Sequence, residues 1–358
     1  MNWPSHGSNP HYVYEYMEMT MPEMVVDFSV NLNPFGPPVA VKQQWDSWFT
    51  AIMDYPDPAG RELVRCIADK EELPETSILL GNGGAEMIAL LARHFSGKNV
   101  LIIQPSFSEY ERTCQAYGCQ VSHFILQDDD WQLPLDELRQ QLTDVDVLFF
   151  CHPNNPTGVC YSWEELTRLV RMCADQECYL VIDEAFYDFC RHPESMASLI
   201  EENPHLIILR SLTKMYAIAG LRLGYLLASS VLVEQLKPYQ PHWNVNAIAL
   251  LAGIECIRAE GYVQQTRAFI TRERERMVNR LREAGFMISE SQVNFYLLRD
   301  PDLDAQLPLF RYLLTHGLVP RHTTNYYGLN GRWLRFSIKT GGQNDRLLEA
   351  LVAWKNTD

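Results

Sequence analysis

The sequence predicts an α/β fold: a large unit built on a mainly parallel seven-stranded sheet flanked by helices, with a smaller α+β unit beside it. Two observations predict this. Between residues 77 and 228, short apolar β-rich runs alternate with segments of helical periodicity, as in a parallel sheet covered on both faces. After Pro241 the alternation stops, and a long helical stretch leads into a mixed block. The predicted division is 45–240 for the large unit and 1–44 with 241–358 for the small one.

In chain order, strands are expected over 77–80, 99–104, 120–126, 145–151, 179–183, 205–210 and 221–228. Helices over 85–95, 108–117, 135–142 and 163–175 fall between them. Residues 246 to about 285 read as helix and end in a charged run from Arg272 to Arg282, which suits a solvated face with i,i+4 pairs. Strands over 292–298 and 333–338 and helices over 307–316 and 345–354 complete the α+β block, with the N-terminal segment expected to join it.

The chain has 358 residues, 47% hydrophobic and 21% charged, enough to bury a sizeable core. A net charge of −15 opposes general affinity for nucleic acid or an anionic membrane. It leaves room for a few local arginines to bind an anionic small molecule. The nine cysteines are scattered, odd in number and without paired metal-ligand spacing, so free thiols in a reducing cytoplasm are expected. Met1 to Glu18 lacks a basic region followed by an apolar run, and no stretch approaches the roughly 20 apolar residues of a membrane span. No metal site is expected.

Four groups fall at the expected carboxyl ends of the strands, where open parallel sheets hold ligands. Gly81-Asn82-Gly83-Gly84 precedes a helix with Ala85 in its first turn. It is either an ordinary tight turn or an anion cradle at a helix N-terminus. Asn154-Asn155-Pro156-Thr157-Gly158 follows the 145–151 strand, and Asn155 brings an amide donor to the sheet edge unless the turn is purely structural. Asp183 ends an apolar strand; a buried carboxylate there needs a partner, either a cap or ion pair or a protonated ring nitrogen. Ser211-Leu212-Thr213-Lys214 is followed by Gly220-Leu221-Arg222-Leu223-Gly224. Lys214 is either an exposed turn lysine or an amine nucleophile, with Ser211, Thr213 and Arg222 beside it for a phosphate. Each group alone has a bland explanation; four in this order at strand ends do not share one.

Taken together these residues resemble fold-type I enzymes of the aspartate aminotransferase superfamily, which use pyridoxal 5′-phosphate (PLP), over nearly the whole chain. The resemblance implies that Lys214 holds PLP as a Schiff base and that Asp183 pairs with the ring nitrogen. It implies that Asn155 donates to the ring oxygen, that Gly83, Gly84, Ser211 and Arg222 cup the phosphate, and that Ala85 and Thr213 also contact the cofactor. Phe107, in Pro105-Ser106-Phe107, matches the residue stacked on the ring. Tyr55, in Tyr55-Pro56-Asp57, matches a tyrosine that reaches the neighbouring subunit's cofactor, which implies a homodimer with shared active sites. Arg335, in Leu334-Arg335-Phe336, matches the arginine for the substrate α-carboxylate. Phe186 departs from the superfamily, many of whose members carry a tyrosine at that position.

Within the superfamily the chain is similar to the threonine-phosphate decarboxylases of cobalamin biosynthesis, relatives of the histidinol-phosphate aminotransferases. The similar segments are Asp27-Phe28-Ser29-Val30-Asn31-Leu32-Asn33-Pro34, Asp183-Glu184-Ala185-Phe186, Ser211-Leu212-Thr213-Lys214 and Asn325-Tyr326-Tyr327-Gly328-Leu329. Phe186 agrees with this branch, whereas in Ser5-His6-Gly7-Ser8-Asn9 a serine stands at 8 where that branch has glycine. The resemblance implies a phosphorylated amino-acid substrate, with Arg321, His6 and Asn31 around its phosphate. The alternatives are a histidinol-phosphate type aminotransferase and, from another class, a PLP-binding regulatory protein without turnover.

Overall fold

The computed structural model describes residues 6–128, 130–191, 193 and 195–356; Ser5 of the N-terminal motif lies outside them. The seven expected strands are β1 Ile78–Gly81, β2 Asn99–Gln104, β3 Gln120–Ile125, β4 Val147–Cys151, β5 Tyr179–Asp183, β6 Leu206–Ser211 and β7 Gly224–Leu227. They form one sheet in the order β1-β7-β6-β5-β4-β2-β3. The pairs β6/β5, β5/β4, β4/β2 and β2/β3 are parallel, whereas β7 runs antiparallel to both of its neighbours. Residues 212–223 between β6 and β7 hold only a short helix and a 3-10 turn. A parallel return needs a crossover over the sheet face, usually a full helix; this connection holds none, and β7 comes straight back beside β6.

Side chains alternate across this sheet with the two-residue period of a strand. Val100, Ile102, Val147, Phe149, Val181, Ile207 and Leu209 pack on one face. Leu101, Ile103, Leu148, Phe150, Leu180, Ile182 and Ile208 pack on the other. Central β4 is buried at every position, whereas edge strand β3 alternates exposed and covered residues. Both faces of the middle strands are covered by helices, which is why they read as continuous apolar runs.

A second, antiparallel sheet of β8 Met287–Ile288, β9 Phe295–Arg299, β10 Arg321–His322 and β11 Leu334–Ser337 has the order β10-β11-β9-β8. The expected strand over 292–298 starts only at Phe295, because Gln292 and Val293 serve a turn in which Ser291 Oγ accepts the Val293 N–H. The N-terminal segment runs beside this sheet. Val26–Asp27 pairs in parallel with Leu318–Val319, the Ser337 N–H donates to Phe28 O, and Asn294 Nδ2 donates to Asn31 O. The helical stretch expected over 246–285 is two helices, Ala247–Arg258 and Glu260–Glu283, parted at Ala259 (φ −86, ψ 52). Asn246 caps the first by accepting the Ala249 N–H. The second buries Val263, Thr266, Ile270, Met277 and Leu281, the spacing of one helix face.

Beneath the ends of β5 and β6 lies a buried ionic network. Arg210 is 3% exposed; its Nη2 donates to Glu71 Oε2 (3.2 Å) and to Ser195 Oγ (2.8 Å), and its Nε lies 3.0 Å from Glu184 Oε2. Tyr225 OH donates to the other Glu71 oxygen. Arg210 and Glu184 directly adjoin Ser211 and Asp183, so the network fixes the backbone from which the site residues project. Arg210→Met strands two carboxylates in the interior and should lower the unfolding free energy in urea titration by about 3 kcal/mol.

Candidate active site

The carboxyl ends of β1, β4, β5 and β6 and the amino end of β7 meet at one edge of the large sheet, facing β10 and β11 of the small one. Between them lies a cavity of about 350 Å³. It is lined by Gly84, Ala85, Phe107, Asn155, Asp183, Ser211, Thr213, Lys214, Arg222, Arg321, Arg335, His6 and Asn31, residues drawn from segments remote from one another in the sequence. Two expected residues do not line it. Gly83 sits just behind the wall. Tyr55 is 80% exposed and packs its ring on Trp243 with centroids 4.5 Å apart, outside this cavity.

Lys214 sits in the short helix Leu212–Met215 that continues from β6. Its Nζ donates to Thr213 Oγ1 (2.8 Å) and Ser211 Oγ (3.3 Å). Burial pushes its pKa from 10.5 to about 8, against the opposing pull of Asp183, with Arg222 and Arg335 pushing it further down. The amine is therefore neutral in a useful fraction near neutral pH, as a nucleophile must be. The folded value lies below the unfolded one, so the unfolded chain binds more protons between about pH 8 and 10.5, and stability contributed by this group rises with pH through that window. In the cofactor-free protein, Lys214→Met should be more stable than the parent at pH 7 by up to about 3 kcal/mol. The gap should close as pH rises from 8 to 10.5 in parallel thermal melts.

Asp183 ends β5 with Oδ2 accepting from Tyr110 OH (2.5 Å) and Oδ1 from the Ala185 N–H (3.0 Å). Burial raises its pKa, opposed by the Tyr110 and Ala185 bonds and then by Lys214. Asn155 projects from the turn after β4. Its Oδ1 accepts from Arg335 Nη1 (2.5 Å), which leaves the amide Nδ2 as the group it can offer a ligand.

The glycine-rich turn puts Gly83 at the N-cap of the helix Gly84–His94. Gly83 has φ +77 and ψ 168, a conformation essentially reserved for glycine, and a Cβ there would lie 2.6 Å from Arg222 Nη2. The Arg222 guanidinium thus lies over the N-terminus of helix Gly84–His94, whose first N–H groups are free for an anion. Arg222 itself takes a left-handed backbone (φ 59, ψ 72) to reach that position. Among the described residues Arg222 has no carboxylate in ion-pair contact. A phosphate fits this arrangement.

On the opposite wall Arg335 and Arg321 are cross-strand partners on β11 and β10. Arg335 is 6% exposed; Nη2 donates to Ser29 O (2.7 Å), while its Nε has no hydrogen-bond partner among the described residues. Arg321 Nη2 donates to Asn325 Oδ1 (2.7 Å). Burial lowers the pKa of both guanidiniums, so each favours an anionic ligand. Asn31 also keeps a buried Oδ1 with no hydrogen-bond partner among the described residues. His6 lies across the mouth, Nε2 bonded to Glu109 Oε1 (2.9 Å) and its ring 5.5 Å from that of Phe107.

Sequence reasoning missed Tyr110, Cys151 and Tyr326, all in the cavity wall. Tyr110 follows Phe107 by three residues through the turn that leads into helix Glu109–Ala116, and that short spacing was the available signal. Tyr326 stands within the Asn-Tyr-Tyr-Gly-Leu segment, and its hydroxyl accepts from Arg335 Nη1 at 3.5 Å. Cys151 carried no signal: nothing in an apolar strand marks its last residue as facing a ligand. Its Sγ accepts the Asn155 N–H at 3.4 Å.

The family described as aminotransferase class I and II matches residues 23–351 of the chain. The chain is 36% identical over 353 residues to the threonine-phosphate decarboxylase of Salmonella typhimurium, covering 97% of this chain and 95% of that one. The crystal structure of the histidinol-phosphate aminotransferase from Clostridium acetobutylicum superposes with a TM-score of 0.87 at 30% identity, over 92% of this chain and 99% of that one. The histidinol-phosphate aminotransferase from Sinorhizobium meliloti, solved in complex with pyridoxal 5′-phosphate, shares the fold with a TM-score of 0.87 at 19% identity, over 98% and 95% of the two chains.

Proposed function

The chain belongs to the family of class I and II aminotransferases, enzymes dependent on PLP, and from that premise we propose that it removes the carboxylate of L-threonine O-3-phosphate as CO2, leaving (R)-1-amino-2-propanol O-2-phosphate. On this reading it serves cobalamin biosynthesis in the cytoplasm. The observation that carries the choice of reaction is the likeness, over 97% of the chain, to the Salmonella decarboxylase. The geometry supports a substrate with two anionic groups. Arg335 and Arg321 stand side by side on adjacent strands, the first for the α-carboxylate and the second for the phosphate, with His6 and Asn31 on the same wall.

When bound, PLP supplies a cationic ring that accepts the electrons left at Cα as a bond there breaks. Lys214 is the amine that bonds it and the acid that returns a proton to Cα. Asp183 keeps the ring nitrogen charged. Asn155 Nδ2 would donate to the ring oxygen, a contact that Phe186, with no hydroxyl, would not share. Phe107 covers one ring face, while Gly83, Gly84, Ala85, Ser211, Thr213 and Arg222 take the phosphate. The same residues would serve transamination; which Cα bond breaks depends on how the substrate is held, and Arg335 and Arg321 would fix its two anionic ends.

The large and small units proposed from the sequence, 45–240 and 1–44 with 241–358, then divide the labour into cofactor and substrate binding. Exposed Tyr55, with exposed Trp45, Phe49, Ile52 and Met53 nearby in sequence, supports a homodimer in which Tyr55 serves the partner's site; sedimentation of a monomer would remove that role. The decisive assay incubates PLP-loaded protein with L-threonine O-3-phosphate and no keto acid. Sustained release of CO2 and aminopropanol phosphate is expected. The second reading, an aminotransferase acting on histidinol phosphate, is favoured by the likeness to the Clostridium enzyme. Absence of CO2 together with turnover of histidinol phosphate and 2-oxoglutarate would establish it instead.

A further inference from the structure

Tyr110 is a buried ionisable group that hydrogen-bonds Asp183 and that the proposed reaction leaves without a task. It stands in the first turn of helix Glu109–Ala116, 1% exposed. Its ring is stacked on Phe149 with centroids 5.5 Å apart and meets Phe107 edge-on at 5.8 Å. So held, the hydroxyl has a fixed aim: it donates to Asp183 Oδ2 at 2.5 Å. Around this carboxylate the other ionisable groups are Cys151 from the end of β4 and Lys214 from the end of β6.

The geometry points to Tyr110 as a positioning residue that, by donating to Asp183, keeps the shared proton on the cofactor's ring nitrogen rather than on the carboxylate. The inference rests on the reading of Asp183 as that nitrogen's partner. A proton between two buried groups goes to the more basic one. Burial makes the Asp183 carboxylate more basic, and the Tyr110 bond is the foremost influence working against it. Tyr110 is a donor only, because burial and the adjacent Asp183 charge hold its phenol protonated far above neutrality. The Ala185 N–H supports Oδ1, but a neutral amide is a weaker donor and cannot take over the work at Oδ2. Each carboxylate oxygen keeps a second lone pair, so accepting from Tyr110 does not bar Asp183 from the ring.

The test uses holoenzyme loaded with PLP labelled with 15N in the ring. In Tyr110→Phe the nitrogen resonance should move toward that of an unprotonated pyridine, and kcat should fall about 10- to 100-fold with KM little changed. In an Asp183→Asn background, Tyr110→Phe should add almost nothing. An unmoved resonance in Tyr110→Phe, or a loss that multiplies fully on top of Asp183→Asn, overturns the inference and leaves Tyr110 a packing residue. Should Tyr110→Phe fail to fold, 3-fluorotyrosine at 110, a stronger donor of the same shape, should move the resonance toward the protonated form; no movement overturns it equally. The resonance is read without turnover, so it stands apart from the question of which Cα bond breaks.

Discussion

Lys214→Ala is expected to lower turnover of L-threonine O-3-phosphate by about 100,000-fold. Two functions are lost together. The variant has no amine to bond the cofactor, and no acid where Lys214 Nζ now sits between Thr213 Oγ1 and Ser211 Oγ. Borohydride should fix PLP to the peptide containing Lys214 in the parent protein and to no peptide in the variant. The Arg222 and Gly83 cradle is untouched, so PLP should still bind, held by its phosphate. Small primary amines should then restore part of the rate. A Lys214→Ala variant that kept even a hundredth of the parent turnover would remove Lys214 from the chemistry.

Asp183→Asn should cost about 1,000- to 10,000-fold in kcat while cofactor content stays near that of the parent. The amide matches the carboxylate in shape, so packing against Cys151 and Leu209 across the sheet survives. The charge does not. A neutral partner cannot hold a proton on the ring nitrogen, and one of the two donors that now face Asp183, Tyr110 OH or the Ala185 N–H, would meet an NH2 group. Steady-state assay alongside cofactor absorbance separates this loss from simple loss of PLP. Near-parent kcat in a fully loaded variant would mean that the ring nitrogen does not depend on Asp183.

The sheet was legible because its middle strands are buried on both faces. Val147–Cys151 is apolar throughout and Tyr179–Asp183 up to its last residue, and polar residues such as Asp183 and Ser211 fall where each run ends. The short pieces were not legible. Val26–Asp27, Met287–Ile288 and Arg321–His322 span two residues each; no periodicity exists at that length, and only their pairing makes them strands. The antiparallel course of Gly224–Leu227 was hidden as well, since direction follows from the path of the connection and not from the apolar run itself.

For the site, the sequence by itself determined which groups are present: an amine, a carboxylate, an amide and a glycine-rich turn at successive strand ends, with arginines further on. They follow from local order, because in a parallel sheet consecutive strands deliver their ends to the same edge. The tertiary structure alone decided how those groups meet. It set Arg321 beside Arg335 across β10 and β11, folded Arg222 over Gly83, and brought Tyr110 from a helix onto Asp183, 73 residues away. Such contacts depend on distance and burial between segments remote in the chain; burial lowers the pKa of the Lys214 amine and raises that of the Asp183 carboxyl, the latter against the Tyr110 bond.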